Sequence, residues 1–197
     1  MIIAIFGVIA VLAALVRNRL ESQLAGALTQ AAQAETMRVQ AHSDSLTGLL
    51  NRRGIIDRVQ SVTPERSTLA MIDIDRLKSI NDTYGHLVGD EVIQTVGSRI
   101  AGGVSRNDAV GRWGGDEFVV VLELDLKKGL PVIERLFQQV SAEPMATTIG
   151  DLPFGISVGV SEWVAGETLE SVLARADAAL YSAKESGRSR FIVAPSV

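Results

Sequence analysis

The chain has 197 residues, with 19 basic and 23 acidic side chains for a formal charge of −4, and no cysteine. That length allows one domain with an appendage, and about 150 residues suffice for a buried core. The acidic balance argues against a general nucleic-acid surface, although a nucleotide substrate needs only a local cluster of cations; without cysteine there is no disulfide, no thiolate nucleophile and no Cys-ligated zinc.

Residues 1–16 carry no charge and no strongly polar group, and Arg17 and Arg19 follow at once. As a helix this run is about 24 Å long, shorter than the ~30 Å hydrocarbon core of a bilayer. No charged region precedes it, which counts against a cleaved signal peptide. A buried core helix suits the length, but the flanking arginines fit a membrane anchor better, with the rest of the chain on the cytoplasmic face. Residues 17–41 form an Ala- and Gln-rich helix without proline. Leu20, Leu24, Ala27, Ala31 and Ala34 trace a narrow heptad-like seam, so this stretch reads equally as a solvated linker or as a signalling helix pairing two chains.

From residue 42 to 197 the pattern alternates. We predict a helix over 49–62, an apolar strand over 67–74 and a helix over 87–104. Ala109–Trp113 and Phe118–Leu122 are short β-like runs joined by Gly114-Gly115-Asp116-Glu117, which reads as a hairpin. Its glycines permit tight-turn torsions and leave the main chain bare for a ligand. A helix over 130–142 follows, with Pro131 suited to a first turn. A strand over 154–163 places Ile156, Val158 and Val160 on one face, and a helix over 169–186 ends at Gly187, a natural C′ residue. A strand over 190–194 closes the chain. Such an order implies an α/β fold: a central mixed β-sheet flanked by helices, preceded by an N-terminal helix.

Asp73 is a charge at the end of an apolar strand, costly to bury unless neutralised. Asp116 reads on its own as a turn residue, yet the two together could bracket a hard cation through oxygen ligands. Asp75 reads as the cap of a short helix. On spacing alone Asn81 is a helix-end residue, Asp90 an N-cap, and Lys184 with Arg188 a solvated basic helix end whose members share one face.

Four further blocks surround the Gly-Gly-Asp-Glu-Phe turn in a fixed order: Asp44-Ser45-Leu46-Thr47-Gly48-Leu49-Leu50-Asn51-Arg52-Arg53, the Asp73-Ile74-Asp75 strand end, the run Lys78 to Asp90, and Tyr181 to Arg188. Over residues 42–194 this resembles the GGDEF family of diguanylate cyclases. The resemblance implies a fold related to the polymerase palm and the nucleotidyl cyclases. It also implies condensation of two GTP into cyclic di-GMP by an antiparallel homodimer of catalytic domains, with two Mg²⁺ or Mn²⁺ per site. By the same resemblance Asp73, Asp116 and Glu117 are catalytic, and Asp73, Asp116 and the Ile74 carbonyl ligate metal. Asn81 and Asp90 read guanine, whereas Lys78, Gly114, Gly115, Lys184 and Arg188 contact the rest of the substrate. His86 is given a structural hydrogen-bonding role. An amide and a carboxylate suit guanine because adenine would leave them unpaired, at ~1–3 kcal/mol per buried group.

Two departures from the family pattern stand out. Leu77 replaces the usual Phe, and Ser105 replaces the Arg of an Arg-x-x-Asp inhibitory site whose Asp is Asp108, with Arg106 one residue out of register. The resemblance therefore implies a cyclase without the high-affinity product site, in which an extended segment would point Arg106 away. The competing readings are a catalytically silent module that binds GTP or a protein partner, which the retained carboxylates oppose, and a cyclase making mixed adenine–guanine dinucleotides, which Asp90 opposes.

Overall fold

The computed structural model describes residues 2–60, 66–141 and 144–195, with side chains omitted at 2–14, 34, 36 and 38. It divides into two compact units, Met1–Ala41 and His42–Val197. The first is helical: α1 runs Ile2–His42, and Leu20, Leu24 and Leu28 on it are exposed. Among the described residues no helix is long and apolar enough to cross a membrane. The expected anchor over 1–16 falls mostly on residues whose side chains lie outside the described set.

The second unit contains α2 (Arg52–Gln60), β1 (Arg66–Ile74), α3 (Leu77–Tyr84), α4 (His86–Gly102), β2 (Ala109–Arg112), β3 (Glu117–Leu122), α5 (Leu126–Ser141), β4 (Met145–Thr147), β5 (Gly150–Leu152), β6 (Ile156–Val164), α6 (Leu169–Glu185) and β7 (Phe191–Val193). Five strands form one sheet in the order β2-β3-β1-β6-β7. All neighbours are antiparallel except β6 and β7, so the sheet is mixed. The small β4-β5 hairpin stands apart. Its three-residue strands are too short to leave an alternating signature in the sequence.

Alternation of side chains sorts the core into two layers. Ala70, Ile72, Ile74, Phe118, Val120 and Leu122 pack with Val92, Val96 and Ile100 of α4 and with Ile133, Leu136 and Val140 of α5. Leu69, Met71, Val119 and Val121 pack on the other side with Ile55 and Val59 of α2 and with Val172, Ala176 and Leu180 of α6. Continuing that alternation, Asp73 falls on the α6 side of β1. Helix α6 can lie close there because Gly159 has no side chain; a Cβ would meet the Ala176 carbonyl oxygen at 2.0 Å.

Two elements begin earlier than their patterns suggested. Helix α5 starts at Leu126 because Asp125 accepts the Lys128 N–H at 2.9 Å and caps the first turn. Pro131 therefore lies inside the helix rather than in its first turn. Helix α4 starts at His86 after Gly85, which places Asp90 within the helix and removes its reading as an N-cap.

Candidate active site

The strand register builds the acidic centre. Asp73, the penultimate residue of β1, pairs with Glu117, the first residue of β3, and paired residues share a face of the sheet. The Ile74 N–H donates to the Asp116 carbonyl at 3.2 Å, fixing the turn against the end of β1. Asp73 is only 6% exposed. Burial pushes its carboxyl up to about 6; Lys184 opposes the rise, while Asp116 and Glu117 add to it. The Lys184 ammonium lies 2.6 Å from Asp73 Oδ2.

These features fit a divalent cation. Three carboxylates converge at one strand end with a single lysine to offset them, and a buried carboxylate under that repulsion gains most from a hard cation. Among the described residues no three acidic or imidazole side chains form a ready-made cage. A cation held here would draw on Asp73, Asp116 and the Ile74 carbonyl and complete its shell with water and substrate phosphates, the habit of Mg²⁺.

The turn is held in a way the sequence did not reveal. The Arg112 guanidinium donates to the Gly115 carbonyl at 2.7 and 3.0 Å, and its remaining nitrogen bonds both oxygens of Asp44 at 3.3 Å. Asp44 also accepts the Thr47 N–H and hydroxyl at 2.9 and 2.8 Å. Partial burial would raise its carboxyl, but the Thr47 bonds and Arg112 outweigh this and hold it below the usual range. The block Asp44 to Arg53 thus contributes a brace for the turn; Arg52 extends it by lying 4.6 Å over the Trp113 ring. The acidic residue in the first position and the threonine three residues later are an Asx-turn signal, but their partner Arg112 lies too far away in sequence to be inferred. Neither Gly114 nor Gly115 takes a positive φ, so the turn does not use the glycines as expected. Gly115 is bare instead: a Cβ there would meet nothing within 4 Å, and a ligand can approach its main chain.

Helices α3 and α4 frame a second region. Asn81 lies within α3, not at its end, and presses its side chain onto α4 where Gly89 makes room; a Cβ at Gly89 would stand 1.8 Å from Asn81 Oδ1. That oxygen is buried and has no hydrogen-bond partner. Asp90 is the next residue of α4 and is half-buried. The junction therefore carries the Asn81 amide against Gly89, with the Asp90 carboxylate one residue further along α4. His86 opens α4 and is exposed; among the described residues its side chain makes no hydrogen bond, contrary to its expected structural role.

The basic residues separate. Lys78 is exposed near the start of α3. Lys184 lies in the last turn of α6, while Arg188 follows the helix end, so the two do not share a helical face. Arg188 lines a cleft of about 580 Å³ with Asp75, Arg76, Ser79, Tyr84 and Phe154. Asp75 is not a helix cap: α3 is preceded by Arg76, which has no side-chain capping bond. The Asp75 carboxylate accepts from Ser157 and Ser189 instead. Residues 105–108 form a turn, not an extended segment. The Ser105 N–H donates to Asp108 Oδ2 at 2.8 Å, and the Glu123 N–H donates to Oδ1 at 3.1 Å. The alternation argument for Arg106 therefore does not apply.

Known proteins resemble this chain in sequence and fold. The chain is 40% identical over 163 residues to the response regulator PleD of Caulobacter vibrioides, covering 77% of this chain and 36% of PleD. It is 37% identical over 167 residues to the diguanylate cyclase DgcP of Pseudomonas aeruginosa, covering 81% of this chain and 25% of DgcP. It thus spans only about a quarter to a third of these relatives. The crystal structure of the coiled coil and GGDEF domain of DgcB from Caulobacter crescentus in complex with c-di-GMP superposes with a TM-score of 0.78 at 30% identity, over 91% of this chain and 99% of that one. A family model described as diguanylate cyclase, GGDEF domain, matches residues 41–190, and the chain belongs to that family.

Proposed function

We propose that this chain is an active diguanylate cyclase that joins two GTP molecules into cyclic di-GMP and releases two pyrophosphates. The observation that carries the reading is the meeting of Asp73, Asp116 and Glu117 at one strand end with Lys184 on Asp73, a charge arrangement with little use in a silent module. Asn81 and Asp90 take guanine: the carboxylate accepts its N1–H and N2–H₂, and the Asn81 NH₂ donates to the O6/N7 edge. Lys78, Lys184 and Arg188 hold the triphosphate, and the bare Gly115 backbone admits the nucleotide to the turn. Bound Mg²⁺ or Mn²⁺, two per site, would lower the pKa of the attacking hydroxyl and offset charge on the α-phosphate.

One domain holds one GTP, so the reaction needs two domains facing each other antiparallel. Each 3′-oxygen then attacks the other nucleotide's α-phosphorus, its proton is lost, and the bond to pyrophosphate breaks. Positioning across the pair supplies much of the rate. The uncharged run at 1–16, followed by Arg17 and Arg19, supports a further part of the proposal: an anchor in the cytoplasmic membrane with the catalytic domain in the cytoplasm. The test is the full chain with GTP and Mg²⁺, its products resolved by chromatography. Cyclic di-GMP from the parent chain and none from a folded Asp116→Asn variant is expected; a parent chain that binds GTP without turnover overturns the reading.

A further inference from the structure

We infer that Asp75 is a positioning residue: it holds the backbone after α6 in a strained conformation that points Arg188 at the triphosphate. The inference rests on the proposed role of Arg188 and goes beyond it.

The end of α6 explains the first part of the geometry. Gly187 N–H donates to the Lys184 carbonyl at 3.3 Å and Arg188 N–H to the Ala183 carbonyl at 3.0 Å, a Schellman closure with Gly187 at φ 113°. That motif requires a left-handed residue only at Gly187. Arg188 and Ser189 nevertheless continue at φ 64° and 48°, in a region that side chains with a Cβ disfavour. Two such residues in succession persist only where the surroundings impose them.

Asp75 supplies that constraint from the other side of the site. It is 8% exposed and directly follows β1, the strand that carries Asp73. Its Oδ2 accepts the Ser189 N–H at 2.9 Å and the Ser189 hydroxyl at 3.3 Å; Oδ1 accepts the Ser157 hydroxyl at 2.7 Å. Its own N–H donates to the Gly155 carbonyl at 2.9 Å. The carboxylate thus ties the loop after α6 to the ends of β1 and β6, and Arg188 is left lining the cleft beside Arg76 and Ser79. No cation pairs with Asp75 among the described residues, so its charge is spent on hydrogen bonds to Ser189 of this loop and to Ser157 of β6.

A double-mutant cycle on the full chain tests this. Affinity is read for a GTP analogue with a methylene bridge between the α- and β-phosphates, and for GMP as the reference, with Mg²⁺ present. Asp75→Ala is expected to weaken the analogue about 10-fold, the size of a lost charged contact, and to leave GMP nearly unchanged. It should add little on top of Arg188→Ala, because both remove the same contact. Asp75→Asn should restore most of the affinity: its carbonyl can accept from Ser189, while the Ser157 hydroxyl turns to accept from the amide. If Asp75→Ala does not fold, Ser189→Pro breaks the tie from the exposed loop by removing the N–H and forbidding the positive φ. Additive losses, an equal loss for GMP, or an Asn variant as weak as Ala overturns the inference. If Arg188→Ala itself leaves the analogue's affinity unchanged, the assignment of Arg188 fails instead, and the two failures are distinguishable.

Discussion

Replacing Asp73 by asparagine should stabilise the metal-free protein while ending synthesis. The carboxyl titrates near 6 in the fold against an ordinary 3.8. At about 1.4 kcal/mol per pH unit, keeping Asp73 ionised costs the native state about 3 kcal/mol. The sign follows from the raised value: Asp73 is no burden below pH 3.8, where it is protonated folded and unfolded alike, and its contribution declines as pH rises through 6. Asparagine removes the burial cost and the repulsion by Asp116 and Glu117, but it also gives up the contact to Lys184. A gain of about 1–3 kcal/mol at pH 8 remains. Urea unfolding of both proteins in chelator, at pH 4 and pH 8, reads this directly: the advantage of Asp73→Asn should be small at the lower pH and grow toward the higher. Added Mg²⁺ should then stabilise the parent and not the variant. A variant less stable than the parent at pH 8, or a difference that does not change with pH, refutes the electrostatic reasoning. Equal stabilisation of both by Mg²⁺ refutes the assignment of Asp73 as a ligand.

Asp90→Ser should narrow the preference for GTP over ATP by roughly 10-fold or more, the worth of a buried charged hydrogen bond, as read from competing turnover of the two; an unchanged ratio removes Asp90 and Asn81 as base readers. Fractionation should find the full chain with membranes and a chain beginning at Gln40 in the supernatant, with the shortened form's specific activity climbing with concentration because two domains must meet. Equal solubility of both counts against the anchor. Cyclic di-GMP should compete weakly at the active site and show no second, tight site: Ser105 offers no charge, and both oxygens of Asp108 already serve the Ser105 and Glu123 N–H groups. Calorimetric titration with the active site filled by a GTP analogue checks this, and sub-micromolar binding there contradicts it.

The central strands were legible because they bury both faces and so read as short, continuous apolar runs bounded by turn residues. Phe118, Val120 and Leu122 face one helical layer and Val119 and Val121 the other, and no polar residue interrupts them. The α5 boundary was misread because the amphipathic pattern begins only after the capped first turn, and a proline drew attention to the wrong position. Within the site, the two carboxylates at element ends, Asp73 and Asp116, stood out by their own chemistry, whereas Asn81, Lys184 and Arg188 were singled out only by the family resemblance. Residues that act on other residues could not be named. Arg112 is one arginine among many until the fold sets Asp44 on one side of it and the Gly115 carbonyl on the other. Asp75 looked like a cap because a carboxylate before a helix usually is one, yet its partners, Ser157 and Ser189, lie more than 80 residues away in sequence.

These braces have a physical purpose that joins the stability and the chemistry of the site. Asp73, Asp116 and Glu117 repel one another, and left alone they would spread the end of β1 from the turn after β2. The register Asp73↔Glu117 and the Ile74 N–H bond to Asp116 hold them together through the backbone, where the carboxylates themselves give no help. Arg112 pulls the Gly115 carbonyl from the opposite side, and it does so through an oxygen that belongs to no acidic residue, leaving the carboxylates open. Among the described residues Lys184 is the only cation that touches Asp73; on the proposed function its single flexible ammonium turns from the carboxylate to a phosphate when a metal takes its place. The fold therefore maintains an unfavourable charge cluster with rigid backbone ties and one movable counter-charge, which on the proposed function metal and nucleotide would relieve.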